Sequence, residues 1–276
     1  MAGNSVIKDE VYKFFADYIF QNSGMVYAPQ DYYRLESRIN DLIRILAVES
    51  ADDVYQMYKK NITPDMKAIL INISTNNETY FFRDVKPFSL LAKTIFPEFF
   101  SKVTFGPLKI WSAASSTGQE AFSMLMSAQG VFSDSSYTRI NISASDISSA
   151  ALKKAKVGKY SNLDIQRGLP ITMLMKHFTQ VDEGNWQINE NILSQVQFFE
   201  FNLLKNKFPS DTYHIIFCRN VLIYQDIKNK NAILNNVYNS LLPGGYLFLG
   251  NGESLIGVDT KFERVTIDGY TVFKKK

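Results

Sequence analysis

The chain has 276 residues, 46% of them hydrophobic and 21% charged, which supplies a sizeable core and excludes a mostly disordered or fibrous protein. A formal charge of +3 lacks the basic excess of a general nucleic-acid binder. One cysteine excludes an intrachain disulfide and a thiolate-rich metal site, and two histidines leave little for another kind, so no metal is expected. At roughly 150 residues per domain the length suggests one large or two modest domains. Met1 to Glu10 shows no basic-then-apolar secretory signal, and Ala2 stands where myristoylation needs glycine. No run approaches the roughly 18 apolar residues of a membrane span. A reducing, cytoplasmic setting is the expectation.

The first 75 or so residues read as a small helical domain, 1–75. Leu35, Ile39, Leu42 and Leu46 form one apolar stripe between Tyr32 and Val48, with Arg34 and Arg38 one turn apart on a neighbouring face. Thr63-Pro64-Asp65 has the form of a capped helix start. Residues 76–106 read as a linker and connecting helix. From 107 to 276 strands alternate with helices: Leu108–Ala114, a helix to Ala128 stopped by Gly130, Arg139–Asp146, a helix Ser148–Val157, Gln197–Phe201 and Tyr213–Phe217. A helix Asp226–Leu242 and a strand Tyr246–Gly250 follow. That alternation predicts an α/β, doubly wound, mainly parallel sheet. Asp268-Gly269 between two β-type runs predicts a C-terminal antiparallel hairpin. Turn residues at Gly168 to Pro170 and Gly184 to Trp186 mark an insertion at about 160–195, and Lys274 to Lys276 read as a solvated end.

Ligands of such sheets bind at the carboxyl ends of the strands. Ser112 to Gly118 has neither the G-x-G-x-x-G nor the G-x-x-x-x-G-K-[ST] pattern, which disfavours a dinucleotide or triphosphate clamp. It is equally readable as a ligand loop or an ordinary tight turn. Asp146 ends a strand, where its carboxylate would accept from ribose hydroxyls or cap the following helix. Arg219 follows an apolar strand and needs a partner or a wet cleft. Cys218 reads as a small buried hydrophobe, His177 and His214 as structural or surface residues, and Trp111 and Trp186 as packing residues.

Several segments in order carry more than any one alone. They are Tyr33-Arg-Leu-Glu-Ser-Arg-Ile39, Asn77-Glu-Thr-Tyr-Phe-Phe-Arg-Asp84, Trp111-Ser-Ala-Ala-Ser-Ser-Thr-Gly-Gln-Glu-Ala-Phe-Ser123 and Ala144-Ser-Asp-Ile147. Ala155-Lys-Val-Gly-Lys-Tyr160, Asn202-Leu-Leu204, Phe217-Cys-Arg-Asn-Val-Leu-Ile-Tyr224 and Leu242-Pro-Gly-Gly-Tyr-Leu-Phe-Leu-Gly250 complete the set. From about Tyr33 onward the chain thereby resembles the chemotaxis receptor glutamate methyltransferases, the CheR family. The resemblance implies a class I, Rossmann-like methyltransferase domain using S-adenosylmethionine and releasing S-adenosylhomocysteine. It also implies a preceding helical domain and a small β-rich insertion.

On matching positions, the resemblance implies that Asn77, Thr79 and Arg83 reach the cofactor and that Glu120 binds its amino group. Asp146 would hold the ribose with Ile147 beside the adenine, Asn202 and Leu203 would line the adenine side, and Arg219 with Asn220 would close the site. Arg83 or Arg219 would guide the substrate carboxylate, and Tyr224 would face the methyl group. The partners implied are methyl-accepting receptors, met through Arg34 and Arg38. Those two arginines are equally readable as a solvated face paired with Asp31, Asp41 or Glu36. Gln225 stands where the family motif commonly has Phe, a change expected to bear on local packing. A nucleotide-dependent oxidoreductase and a non-catalytic cofactor-binding regulator are the alternatives.

Overall fold

The computed structural model describes residues 7–102, 106–129, 131 and 139–276. Helices α1 (Asp9–Ser23), α2 (Tyr32–Leu46), α3 (Ala51–Lys60) and α4 (Pro64–Ser74) build the N-terminal region. The predicted stripe of α2 is what they share. Leu35, Ile39 and Leu42 are buried against Val11, Phe15 and Ile19 of α1 and Val54 and Tyr58 of α3. The helix stops at Leu46 rather than Val48, because Ala47 turns left-handed at φ 53°. Thr63 caps α4 as expected, its hydroxyl accepting from the Met66 N–H.

Gly24 ends α1 at φ +73°, and a Cβ there would lie 2.1 Å from Gln225 Oε1 and 2.3 Å from Leu204 Cδ1. A left-handed non-glycine residue costs roughly 1–2 kcal/mol, and overpacking adds to that. Gly24→Ala is therefore expected to lower the unfolding free energy by about 2–4 kcal/mol. Urea titration would show it as a lower midpoint at unchanged slope; an unmoved midpoint contradicts the close approach.

The connecting helix has three parts: α5 (Lys86–Leu90), a π-helical turn (Leu91–Ile95) and α6 (Phe96–Lys102). Next come β1 (Leu108–Ala113), α7 (Gln119–Gln129), β2 (Ile140–Asp146) and α8 (Ser149–Val157). Gly130, expected to stop α7, and residues 1–6 lie outside the described residues. The expected insertion is a separate antiparallel sheet of β3 (Lys159–Ser161), β4 (Phe178–Asp182) and β5 (Asn185–Ile188), with α9 (Asn162–Gln166) and α10 (Ile171–His177) between β3 and β4. The chain returns through α11 (Glu190–Leu193), β6 (Val196–Glu200), β7 (Tyr213–Cys218) and α12 (Ile227–Ser240). It closes with β8 (Leu241–Phe248), β9 (Glu263–Ile267) and β10 (Tyr270–Lys274).

The main sheet has the order β6-β2-β1-β7-β8-β10-β9. It is parallel from β6 through β8, while β10 runs antiparallel to both β8 and β9. The hairpin turns on Asp268 and Gly269, both at positive φ, as the sequence signal requires. Helix α12 ends two residues early because Leu241 already pairs with Tyr213. Residues 242–245 then bulge out before Tyr246 rejoins opposite Ile215. A proline without an N–H is tolerated at such a bulge. Strand order reverses between β1 and β7, so the ligand crevice belongs at their carboxyl ends.

The isolated residues mostly fall where their chemistry suggests. Trp111 is buried with its indole N–H on Ser145 Oγ, and half-buried Trp186 donates to Asn162 Oδ1. Cys218 is fully buried, which pushes its thiol pKa up and away from nucleophilic use. Burial holds His177 down at about 4, and His214 accepts the Lys109 N–H. Lys275 departs from expectation: it is buried, and its ammonium donates to Asp211 Oδ1 and to the Leu241 carbonyl. Pairing of β10 carries it into the sheet, where its charge needs those partners. Among the described residues no helix is long and apolar enough to cross a membrane.

Candidate active site

The loop after β1 curls sharply. Ala114, Ser116 and Gly118 all take positive φ, at 61°, 52° and 94°. At Gly118 a Cβ would press on Phe122, Ala155 and Phe198 at 3.0–3.2 Å, so glycine lets α7 pack onto the sheet. Phe82, Asp84, Val85 and Asn220 are also at positive φ nearby in the fold, concentrating backbone strain around one crevice.

That crevice opens at the β1/β7 switch, where doubly wound sheets bind their ligands. Asn77, Thr79, Arg83, Glu120, Asp146, Ile147, Arg219, Asn220 and Tyr224 all line it. Asn202 and Leu203 line an adjoining chamber, which shares Ser23, Ala114, Ile147, Val221 and Gln225 with the first. The fold thus gathers the residues singled out by the motifs, which stand far apart in the chain.

Each carboxylate of the site is already held. Asp146 accepts the Ser116 and Ser148 N–H groups at 2.8 Å, one on each oxygen. Ser148 itself caps α8, so the alternative role for Asp146 as the cap is taken by its neighbour. Burial raises the Asp146 pKa above its ordinary 3.8, while those backbone donors act against the rise. Glu120 accepts from Ser112 Oγ at 2.7 Å and from Arg219 Nη1 at 2.9 Å. Arg219, its side chain only 1% exposed, also bonds Asp84 and the Arg83 carbonyl. Burial pulls Arg219 down, but Glu120 above all, with Asp84 and Tyr270, holds its pKa higher than usual.

The remaining residues shape the walls. The Asn77 backbone carbonyl accepts from Ser116 Oγ, and its side-chain amide donates to Thr75 Oγ1. Arg83 donates to the Glu78 carbonyl and lies over the Tyr80 ring, and Glu78 in turn is bridged by Arg167 of the insertion. Asn202 donates to the Asn22 carbonyl at 2.6 Å, tying the second chamber to α1. Glu253, which the motifs did not mark, accepts the N–H groups of Asn220, Val221, Leu222 and Gly250 at 2.7–3.0 Å. It works as an internal anion that fixes the loop after β7. Gln225 does more than fill space: its amide donates to the Ser23 carbonyl, and the residue pairs with Met25 in an antiparallel bridge. The contacts that bring Asp84, Asn76 and Glu253 to the site left no signal in the spacing, since Arg219, Tyr224 and the loop after β7 lie tens of residues or more away.

The donor set suits S-adenosylmethionine. Glu120 and Asp146 stand with Arg83 and Arg219 in the lining, charges of both signs for a ligand that itself carries both. Ser115 Oγ is buried in the lining without a partner among the described residues, ready for a polar ligand. Among the described residues no cluster of three or more His, Cys, Asp or Glu could hold a metal.

Comparison with known proteins agrees. Residues 77–271 match the family model described as CheR methyltransferase, SAM binding domain. A chemotaxis protein methyltransferase of Vibrio anguillarum is 35% identical over 272 residues, covering 98% of both chains. One from Pseudomonas putida is 34% identical over 257 residues, covering 92% of this chain and 93% of the other. That of Escherichia coli is 28% identical over 277 residues, covering 99% and 93%. With this likeness along nearly the whole chain, and a crevice suited to the cofactor, the chain belongs to the CheR family of S-adenosylmethionine-dependent chemotaxis methyltransferases.

Proposed function

We propose that this protein esterifies glutamate side chains of methyl-accepting chemotaxis receptors, working in the cytoplasm and without a general base. The observation that carries this reading is the state of the lining acids. Glu78, Glu120 and Asp146 each already accept hydrogen bonds, from Arg167, from Ser112 with Arg219, and from Ser116 with Ser148. No lining carboxylate oxygen is buried without a partner among the described residues. A glutamate side chain, which ordinarily titrates at about 4.3, is ionised at neutral pH and needs no proton removed.

When bound, S-adenosylmethionine supplies an electrophilic methyl whose bonding pair leaves on sulfur. Asp146 would hold its ribose, Glu120 its amino group, and Ile147, Asn202 and Leu203 its adenine side, with Asn77, Thr79, Arg219 and Asn220 closing around it. The chain's own task is then alignment and exclusion of water. Arg219 serves here by holding Glu120, since its Nη1 and Nη2 are taken by Glu120, Asp84 and the Arg83 carbonyl, while its Nε is buried without a partner among the described residues. Orienting the substrate carboxylate falls to Arg83 and to the Tyr224 hydroxyl at the mouth. Docking through Arg34 and Arg38 rests on the family resemblance. They lie 3.9 Å from Asp31 and 4.0 Å from Asp41, which receptor carboxylates would have to displace.

The test is calorimetry with S-adenosylhomocysteine, then transfer of labelled methyl from S-adenosylmethionine to receptor-containing membranes. Base-labile label on the receptor is expected; its absence alongside tight cofactor binding overturns the substrate. Tyr224→Phe is expected to slow transfer about 10- to 100-fold, the loss of one hydrogen bond to a charged group, with cofactor affinity retained. An undiminished rate removes Tyr224 from the reaction.

A further inference from the structure

Asn76 lies just before the motif that supplies Asn77, Thr79 and Arg83, and it touches the hydroxyl that the reaction needs. One atom of its side-chain amide accepts the Glu78 backbone N–H at 3.2 Å. A backbone N–H can only donate, so that atom is Oδ1 and the amide's orientation is settled. The other atom is therefore Nδ2, 2.9 Å from Tyr224 Oη. An amide NH₂ can only donate as well, so the phenol oxygen is the acceptor in this pair. The Tyr224 proton must leave along another direction. Among the described residues Asn76 is the only hydrogen-bond partner of Tyr224 Oη, and both side chains line the crevice. The backbone of Tyr224 is anchored too, its carbonyl accepting the Val26 N–H.

We propose that Asn76 is a positioning residue that turns the Tyr224 O–H into the crevice as a donor to the substrate carboxylate. The inference rests on the receptor-carboxylate reading above. A neutral donor suits a reaction that removes charge. A phenol proton bonds one carboxylate oxygen while the other reacts, and it keeps its acceptor when that oxygen becomes the ester carbonyl. No proton is transferred at any stage.

Neutron diffraction from deuterium-exchanged crystals of the full chain reads the hydroxyl directly. The expected map has two deuterons on Asn76 Nδ2 and the Tyr224 deuteron directed into the crevice. A Tyr224 deuteron on the line to Asn76 overturns the inference. Single-turnover transfer to receptor-containing membranes gives a second readout. Asn76→Asp replaces the donor with an acceptor and is expected to slow transfer about tenfold, with affinity for S-adenosylhomocysteine unchanged. The Asn76→Asp/Tyr224→Phe double variant is expected to be no slower than Tyr224→Phe alone, because a polarity effect vanishes with the hydroxyl. Losses that multiply, or an unchanged Asn76→Asp rate, overturn it. If the wild-type chain labels no receptor while the neutron map is as expected, the substrate reading has failed and the hydroxyl assignment has not.

Discussion

Arg219→Met is expected to lower the unfolding free energy by about 3–5 kcal/mol and to abolish measurable S-adenosylhomocysteine binding. The guanidinium sits between Glu120 and Asp84 with its side chain 1% exposed. Removing it leaves two carboxylates facing each other in a poorly solvated place, each without its strongest donor. Glu120 would also swing from the position in which Ser112 and Arg219 together hold it. Arg219→Lys should fall between, because one ammonium cannot span both carboxylates and the Arg83 carbonyl as a planar fork does. A third variant separates stability from function. Combining Arg219→Met with Glu120→Gln and Asp84→Asn removes the stranded charges and is expected to recover most of the stability, yet none of the binding. Urea titration and calorimetry on the same samples check both halves. An Arg219→Met protein as stable as the wild type would show that the buried ion cluster contributes nothing to the fold.

Asp146→Asn is expected to weaken S-adenosylhomocysteine binding about 100-fold or more at neutral pH, the loss of the two charge-assisted hydrogen bonds proposed for its carboxylate with the ribose hydroxyls. Its amide NH₂ would in addition face the Ser116 or Ser148 N–H, setting donor against donor. The pH dependence is the sharper signature. Burial raises the Asp146 carboxyl above 3.8 in the folded chain, so the folded state binds this proton more tightly than the unfolded chain does. Stability from this group is therefore fully present below the unfolded value and is lost as pH rises through the raised folded value. Cofactor affinity moves the other way, because protonation removes the anionic acceptor. Wild-type affinity should fall on acidification at a pH above that of an ordinary aspartate, and Asp146→Asn should lack that fall. Calorimetry across the acid range measures it. The same fall in the variant would assign the titration elsewhere.

Much of this was legible along the chain. The α2 stripe, the Thr63 cap, the alternation of strands and helices and the Asp268-Gly269 turn are local patterns that report local backbone and burial, and each appears in the fold. Small misreadings came where pairing overrode local preference. Leu241 left its helix to pair with Tyr213, and Lys275, lysine-rich context notwithstanding, was drawn under Asp211 by the hairpin.

Composition, element order and the ordered motifs therefore determined the fold class, the family and several of the residues around the crevice, because each is written in neighbouring positions. Only the tertiary structure decided which of those residues touch. Arg219 meets Glu120 and Asp84 across 99 and 135 positions, and Asn76 meets Tyr224 across 148. No spacing rule spans such gaps, since strand order in the sheet and the docking of the helical region set them. That is why Arg219, a candidate substrate clamp by position, is found buried between Glu120 and Asp84, and why Asn76 comes to rest on the Tyr224 hydroxyl.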